Sequence, residues 1–278
     1  MAQAKATRTR LPPEIFDLPV EKMRAGWYTD AYFNYARETL LGDGRHPHVV
    51  MQVFQRKDAW LGGMDEAIAI LKLCAHEREG LEIRALYDGD RIEPWETVMT
   101  IEGDYTTFAH LETVYLGTLA RRTLITTNVV HVLDAANGKP VIFMPARHDH
   151  HRVQTGDGYA AYVGGQVTGT EVGVTTDEQA SWWGGRGIGT VPHSLIASYG
   201  GDTVLAAKKF AEWASPDMNV TVLVDFENDS VRSALEVADA LGDRLWGVRL
   251  DTSEALVDRC LWDEMGDFKP TGVNERLV

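Results

Sequence analysis

Two cysteines in 278 residues are too few for a disulfide framework. Cys74 and Cys260 lie far apart, each among apolar residues (LKLCA and DRCLW), and read as buried thiols of a reducing, cytoplasmic compartment. No apolar run approaches the roughly 20 residues that a membrane-spanning helix needs. The opening MAQAKATRTRLPPE carries positive charge with no apolar stretch behind it, so it reads as a flexible lead rather than a secretory signal. Basic residues are also scarce. The 27 Lys and Arg stand against 41 Asp and Glu, a formal net charge of -14, which argues against nucleic acid as a partner. A polyanionic small substrate is compatible with that field if a few arginines are gathered locally. There is no internal repeat and no low-complexity tract.

What is present is organised around residues 187–253. This stretch opens GIGTVPHS, passes through NVTVLVD and closes on LWGVRLDTS. Three apolar runs predict strands: a short one ending near Thr190, then Asn219 to Asp225, then Leu245 to Asp251. Between them, Val204, Ala207, Phe210 and Ala211, and then Val231, Ala234, Leu235, Ala238 and Leu241, recur at steps of three and four, the pattern of helices with one buried face. Strands alternating with amphipathic helices imply parallel pairing with crossovers, in an α/β barrel or a doubly wound sheet. Each strand ends on a reactive side chain: His193 follows the first, Asp225 closes the second, and Arg249 and Asp251 end the third. In a barrel the carboxyl ends of strands converge on one face, so these groups would share a mouth suited to a charged, oxygen-rich substrate.

Upstream, VVMQVFQ predicts a strand from Val49, Met64 to His76 an amphipathic helix, and residues 81–103 short strands with turns at Asp88-Gly89-Asp90 and Glu93-Pro94. Runs of strands with one or two helices suggest an α+β domain over residues 1–107. A long helical stretch then begins the barrel domain, 108–278. Thr29 and Asp30 are candidate caps for a helix through Leu41. The strand Val141 to Met144 leads into Arg147 and the run His148, Asp149, His150, His151, again at a carboxyl end. That histidine run lacks a Cys pair or a closed ligand set and reads as a polar loop rather than a zinc site. Arg121 and Arg122 read as solvated surface of the long helix.

The motifs YTDAYF (28–33), LETVYLGTLARRT (111–123), PARH (145–148), GTVPHS (189–194), VLVDFEND (222–229), VRLDTS (248–253) and DFKPTGVNERLV (267–278), in this order, resemble nicotinate phosphoribosyltransferases of the type II phosphoribosyltransferase fold. The resemblance implies an α+β amino-terminal domain with an incomplete α/β barrel. It further implies formation of nicotinate mononucleotide and pyrophosphate from nicotinate and 5-phosphoribosyl 1-diphosphate, coupled to ATP hydrolysis, with Mg²⁺, in a homodimer. Such chemistry passes through an oxocarbenium-like centre with a highly charged leaving group, so it is a task of positioning and electrostatics.

By the same resemblance His193 is the histidine phosphorylated by ATP, just ahead of a helix Ser194 to Tyr199. From spacing alone a capping or backbone-bonded histidine is the stronger reading, and the surrounding motif tips it to the functional one. Asp225 and Asp251 would meet ribose hydroxyls or Mg²⁺, Arg249 a phosphate or the nicotinate carboxylate, and Thr190 and Ser194 the substrate. A structural ion pair is the rival for Arg249 and the carboxylates. Arg147 would sit at the pyridine-carboxylate pocket, although this chain has Phe143-Met144-Pro145-Ala146-Arg147-His148 where the family has a phenylalanine–glycine pair before two arginines. Tyr32 would stack on the pyridine ring of the neighbouring subunit, or serve only as an interface aromatic. Members of the family continue past the stretch matching residues 267–278 with a Gly-rich phosphate loop, so the expectation is a truncated chain of reduced or absent activity. Two alternatives stand beside this reading: a quinolinate phosphoribosyltransferase, and a non-catalytic remnant that serves as a partner subunit.

Overall fold

The computed structural model describes residues 8–77, 80–266 and 268–278. Its elements in chain order are α1 (Val20–Arg24), α2 (Ala31–Gly42), β1 (His48–Phe54), β2 (Ala59–Trp60), α3 (Met64–Cys74), β3 (Glu82–Ala85), β4 (Arg91–Ile92), β5 (Thr97–Asp104), α4 (Tyr105–Phe108), α5 (Glu112–Ala136), β6 (Val141–Phe143), α6 (Gln154–Thr168), β7 (Val172–Val174), α7 (Asp177–Ala180), α8 (His193–Ser198), α9 (Thr203–Trp213), β8 (Val220–Leu223), α10 (Ser230–Leu241) and β9 (Leu245–Arg249). The fold is mixed α/β. An antiparallel α+β part comes first, and parallel strand pairs with intervening helices follow, a portion of the strand set of an α/β barrel. No helix among the described residues is long and apolar enough to cross a membrane. The chain divides into two compact units, 1–188 and 189–278.

In the first unit β1, β5 and β3 form an antiparallel sheet in that order, with Val50 opposite Glu102 and Ile83 opposite Ile101. The inward residues of this sheet pack on α3, whose Met64, Ala67, Ile70, Leu71 and Cys74 are fully buried. Residue 107, the expected end of the amino-terminal domain, falls inside this unit. The physical reason is that Phe108, Leu111, Tyr115 and Leu119 bury against the same core, so the start of α5 is part of it. Further along, Val129 and Leu133 of α5 pack with Ala161 of α6 over the parallel pair β6–β7. A Cβ on Gly158 would lie 2.2 Å from the Gln179 carbonyl oxygen, and one on Gly164 2.7 Å from Val129, so α6 needs these glycines to approach its neighbours.

Of the lead expected to be flexible, residues 1–7 lie outside the described residues. The rest is docked. Arg10 donates to Asp65 at 2.7 Å and to the carbonyls of Ala85 and Leu86, its guanidinium lies 4.1 Å from the Tyr87 ring centre, and Phe16 meets Trp182 edge-on. Asp30 sits at the start of α2 without capping it through its side chain, which instead accepts from the Thr113 hydroxyl at 3.0 Å.

Arg121 is exposed as expected, whereas Arg122 is not a surface residue. Both donate to Asp157, whose side chain is almost wholly enclosed: Arg121 at 2.9 and 2.7 Å, Arg122 at 2.7 Å. Arg122 is itself only 12% exposed and also donates to Glu66 at 3.1 Å, so α3, α5 and α6 meet at one ionic cluster. Removing one member of such a cluster leaves charge buried and uncompensated. Asp157→Ala is therefore expected to lower stability by about 3–5 kcal/mol in urea unfolding, whereas Arg84→Ala, at an exposed ion pair with Glu82, lowers it by less than about 1 kcal/mol.

His110, at the start of α5, is buried against His76, with ring centres 4.7 Å apart. Its Nε2 contacts the Cys74 carbonyl at 3.4 Å and its Nδ1 has no hydrogen-bond partner among the described residues. Burial, and then the neighbouring His76, pull its pKa down to about 4. A depressed histidine contributes stability that is present above its ordinary value near 6.5 and is lost as pH falls towards the folded value. Asp88, which accepts the Met64 and Asp65 amides at the start of α3, works the other way, because burial pushes it up to about 7. Comparison with His110→Gln at each pH cancels that second effect. Wild type should lose on the order of 3 kcal/mol relative to the variant between pH 7 and pH 4 in urea titrations.

Candidate functional site

In the second unit β8 and β9 pair in parallel, with Val222 opposite Val248 and Leu223 opposite Arg249, and Val191 bridges to Val222 on the other side. The first expected strand is thus a single bridge at Val191 rather than a strand ending near Thr190. Val191, Val220, Val222, Leu223 and Val224 are fully buried between α8, α9 and α10, which fixes the strand ends. Asp202 caps α9 by accepting from Leu205 at 2.8 Å. The start of α10 is capped from a distance: Asp258, fully buried, accepts from the Ser230 amide at 3.0 Å. Cys260, two residues on, is exposed rather than buried, because in the 3-10 turn Arg259–Glu264 it is Leu261 that is buried.

These constraints gather five of the expected residues. His193 is the first residue of α8, not the residue before it, and its side chain is 47% exposed. Its Nε2 lies 3.5 Å from Oδ1 of Asp225 and its Nδ1 lies 3.9 Å from Oδ2 of Asp251. The 3.5 Å separation is an ion-pair distance rather than a formed hydrogen bond, and Oδ1 of Asp225 has no hydrogen-bond partner among the described residues. Arg249 and Asp251 are two apart on an extended chain and face the same way. Arg249 donates to Asp251 at 2.9 Å and to the Thr190 hydroxyl at 3.2 Å. The Phe226 ring lies 6.3 Å from that of His193.

The two carboxylates differ in accessibility. The Asp225 side chain is 1% exposed, and its Oδ2 accepts the Asp251 amide and the Thr252 hydroxyl. The Asp251 side chain is 35% exposed. Mg²⁺ is usually held by one or two carboxylates together with substrate phosphates. Asp251 offers an accessible oxygen for such an ion, whereas both Asp225 oxygens are enclosed, so the donor set fits an ion at Asp251 and not one shared by the pair.

The remaining expected residues make no hydrogen bond or ion pair with these five among the described residues, although Ser194 follows His193 in α8. Ser194 is exposed, and its carbonyl accepts the Ser198 hydroxyl within α8. Tyr32 and Arg147 belong to the first unit. Tyr32 is exposed, and its hydroxyl donates to Asp30 at 3.2 Å. Arg147 is exposed in the turn after β6, where the amides of His148 and Asp149 both donate to the Pro145 carbonyl. His148, His150 and His151 are exposed in the same segment, and no cluster of three metal-ligating side chains occurs among the described residues. Sequence reasoning missed Thr252, whose only signal was its place beside Asp251 in VRLDTS.

Residues 30–123 match the family described as quinolinate phosphoribosyl transferase, N-terminal domain. A nicotinate phosphoribosyltransferase of Mycobacterium tuberculosis is 28% identical over 178 residues, which are 62% of this chain and 38% of that protein. The structure of a nicotinate-nucleotide pyrophosphorylase from Pyrococcus furiosus superposes with a TM-score of 0.74 at 30% identity, covering 92% of this chain and 61% of that one. The human nicotinic acid phosphoribosyltransferase (TM-score 0.62, 17% identity, 82% of this chain and 61% of that one) shares the fold, as does NadC from Streptococcus pyogenes (0.61, 19%, 84% and 75%). The chain therefore spans well under half the length of its curated relative and about three fifths of the Pyrococcus chain.

The enclosure of Asp225 has a measurable consequence. Asp225→Ala would leave the Asp251 amide and the Thr252 hydroxyl without their acceptor in a half-buried site. It should cost about 1–3 kcal/mol in urea unfolding, and Asp251→Ala, at the accessible carboxylate, about 1 kcal/mol or less.

Proposed function

We propose that this chain is a type II phosphoribosyltransferase that transfers the phosphoribosyl group of 5-phosphoribosyl 1-diphosphate to nicotinate, with ATP hydrolysed alongside, as a step of NAD biosynthesis. The observation that carries this reading is the histidine of GTVPHS standing half-exposed between a buried and an accessible carboxylate, with Arg249 alongside. A transferase without ATP coupling has no need of a phosphorylatable imidazole.

In this reading His193 accepts the γ-phosphoryl group of ATP on an open ring nitrogen, and Asp225 behind it holds the imidazole. Arg249 and the Thr190 hydroxyl meet anionic oxygens of the substrate, Arg249 as a rigid fork of donors. Asp251 faces the sugar, where positive charge develops as the anomeric C–O bond breaks and the nicotinate nitrogen forms its bond to the same carbon. A bound Mg²⁺ held at Asp251 would neutralise charge on the departing pyrophosphate. Arg147 and Ser194 are proposed further substrate contacts. Tyr32 is proposed to act across a homodimer in the cytoplasm. The amino-terminal match favours a second reading, in which quinolinate is the acceptor and is decarboxylated.

Purified chain supplied with 5-phosphoribosyl 1-diphosphate and either acid separates the two. The expected result is nicotinate mononucleotide and pyrophosphate from nicotinate, stimulated by ATP, with label from γ-labelled ATP on His193 that is absent from His193→Ala. Consumption of quinolinate with release of CO₂ and indifference to ATP would establish the second reading, and no product from either acid would reject both in favour of a non-catalytic partner subunit.

A further inference from the structure

Asp225 has two chemically equivalent oxygens in two different situations. Oδ2 accepts both the Asp251 backbone amide and the Thr252 hydroxyl, the latter at 3.1 Å. Oδ1 accepts from nothing among the described residues, is closed off from solvent, and has His193 Nε2 at 3.5 Å. A buried acceptor without a donor is costly, so the carboxylate gains when a proton is carried on the facing imidazole nitrogen. Which oxygen faces His193 depends on rotation about the Cβ–Cγ bond. The Asp251 amide supplies one tie against that rotation and the Thr252 hydroxyl the second. Thr252 is half-buried, and its β-branched side chain holds a restricted rotamer, so the hydroxyl is preset rather than recruited.

We infer that Thr252 is a positioning residue for the site: by fixing Oδ2 of Asp225 it keeps Oδ1 as the acceptor for Nε2–H of His193 and so sets the tautomer of that imidazole. This deepens the transferase reading and rests on it for its catalytic consequence, but not for the tautomer itself. Long catalytic contacts in an unliganded protein commonly tighten on binding, so a shift of about half an ångström suffices to turn the 3.5 Å contact into a hydrogen bond.

The test uses the full chain labelled with ¹⁵N-histidine, its His193 resonances assigned by their loss in His193→Gln. Long-range ¹H–¹⁵N correlations report the tautomer of the neutral ring without any substrate. Wild type should carry the proton on Nε2, Thr252→Val should give a mixture of tautomers, and Thr252→Ser should return the wild-type pattern. Thermal unfolding of the three proteins identifies any variant that is misfolded. In parallel, the rate of His193 labelling from γ-labelled ATP should fall about tenfold in Thr252→Val, the loss of one hydrogen bond to a charged group, and stay within about twofold of wild type in Thr252→Ser. A folded Thr252→Val chain with an unchanged tautomer, or a Thr252→Ser chain that behaves like Thr252→Val, overturns the inference. If instead the tautomer follows Thr252 as described while wild type takes no label, the positioning role stands and the ATP-coupled reading falls.

Discussion

The candidate site depends on the parallel registry of β8 and β9. With Leu223 paired to Arg249, the next residues of each strand fall side by side, and the Val224 amide donates to the Arg249 carbonyl at 3.2 Å. That registry lets the Asp251 amide reach Asp225, and it brings Arg249, Asp251 and Thr252 around one carboxylate. The registry is itself held by burial. Val220, Val222, Leu223 and Val224 are excluded from water on both faces of the strand, and a slip of one residue would carry Asp225 away from the Asp251 amide. Hydrophobic packing below and charged chemistry above are therefore one constraint seen from two sides.

The chemistry that follows is a graded set of environments. Asp225 is enclosed and pinned, Asp251 is half-open and paired with a guanidinium, and His193 lies between them with part of its ring in solvent. In the proposed function His193 receives phosphate, and its half-exposed ring is reachable for that. The group that orients it works better where water cannot compete. The two aspartates, of identical chemistry, differ in burial and in partners: Asp225 accepts the Asp251 amide and the Thr252 hydroxyl, and Asp251 pairs with Arg249.

Much of the second unit was legible because its signals are periodic and local. α9, α10, β8 and β9 lie within a few residues of their expected bounds, since steps of three and four and short β-branched runs report helix faces and buried strands directly. The strand expected before His193 is only the bridge at Val191, because the residues ahead of it are held singly, the Gly187 amide by Asp177 and the Ile188 amide by the Val174 carbonyl, rather than along a ladder. Contacts between distant segments left no local trace. Asp258 caps α10 from 28 residues away, and Arg122 is enclosed by Glu66 and Asp157 from α3 and α6. An arginine pair on a helix looks the same in sequence whether it faces water or a buried carboxylate. The family resemblance carried the substrate expectations, and the residues 28–33 and 145–148 that it draws on belong to the first unit rather than to the His193 cluster.

In the proposed function the carboxyl ends of β8 and β9, with His193, form the place where a phosphoribosylated pyridine acid is made. A crystal structure of the chain grown with nicotinate mononucleotide tests it most directly. The account predicts the nucleotide bound in the second unit, with an anionic oxygen within hydrogen-bond distance of Arg249 and the ribose beside Asp251. Nucleotide bound only away from His193, Asp225, Arg249 and Asp251 would contradict it.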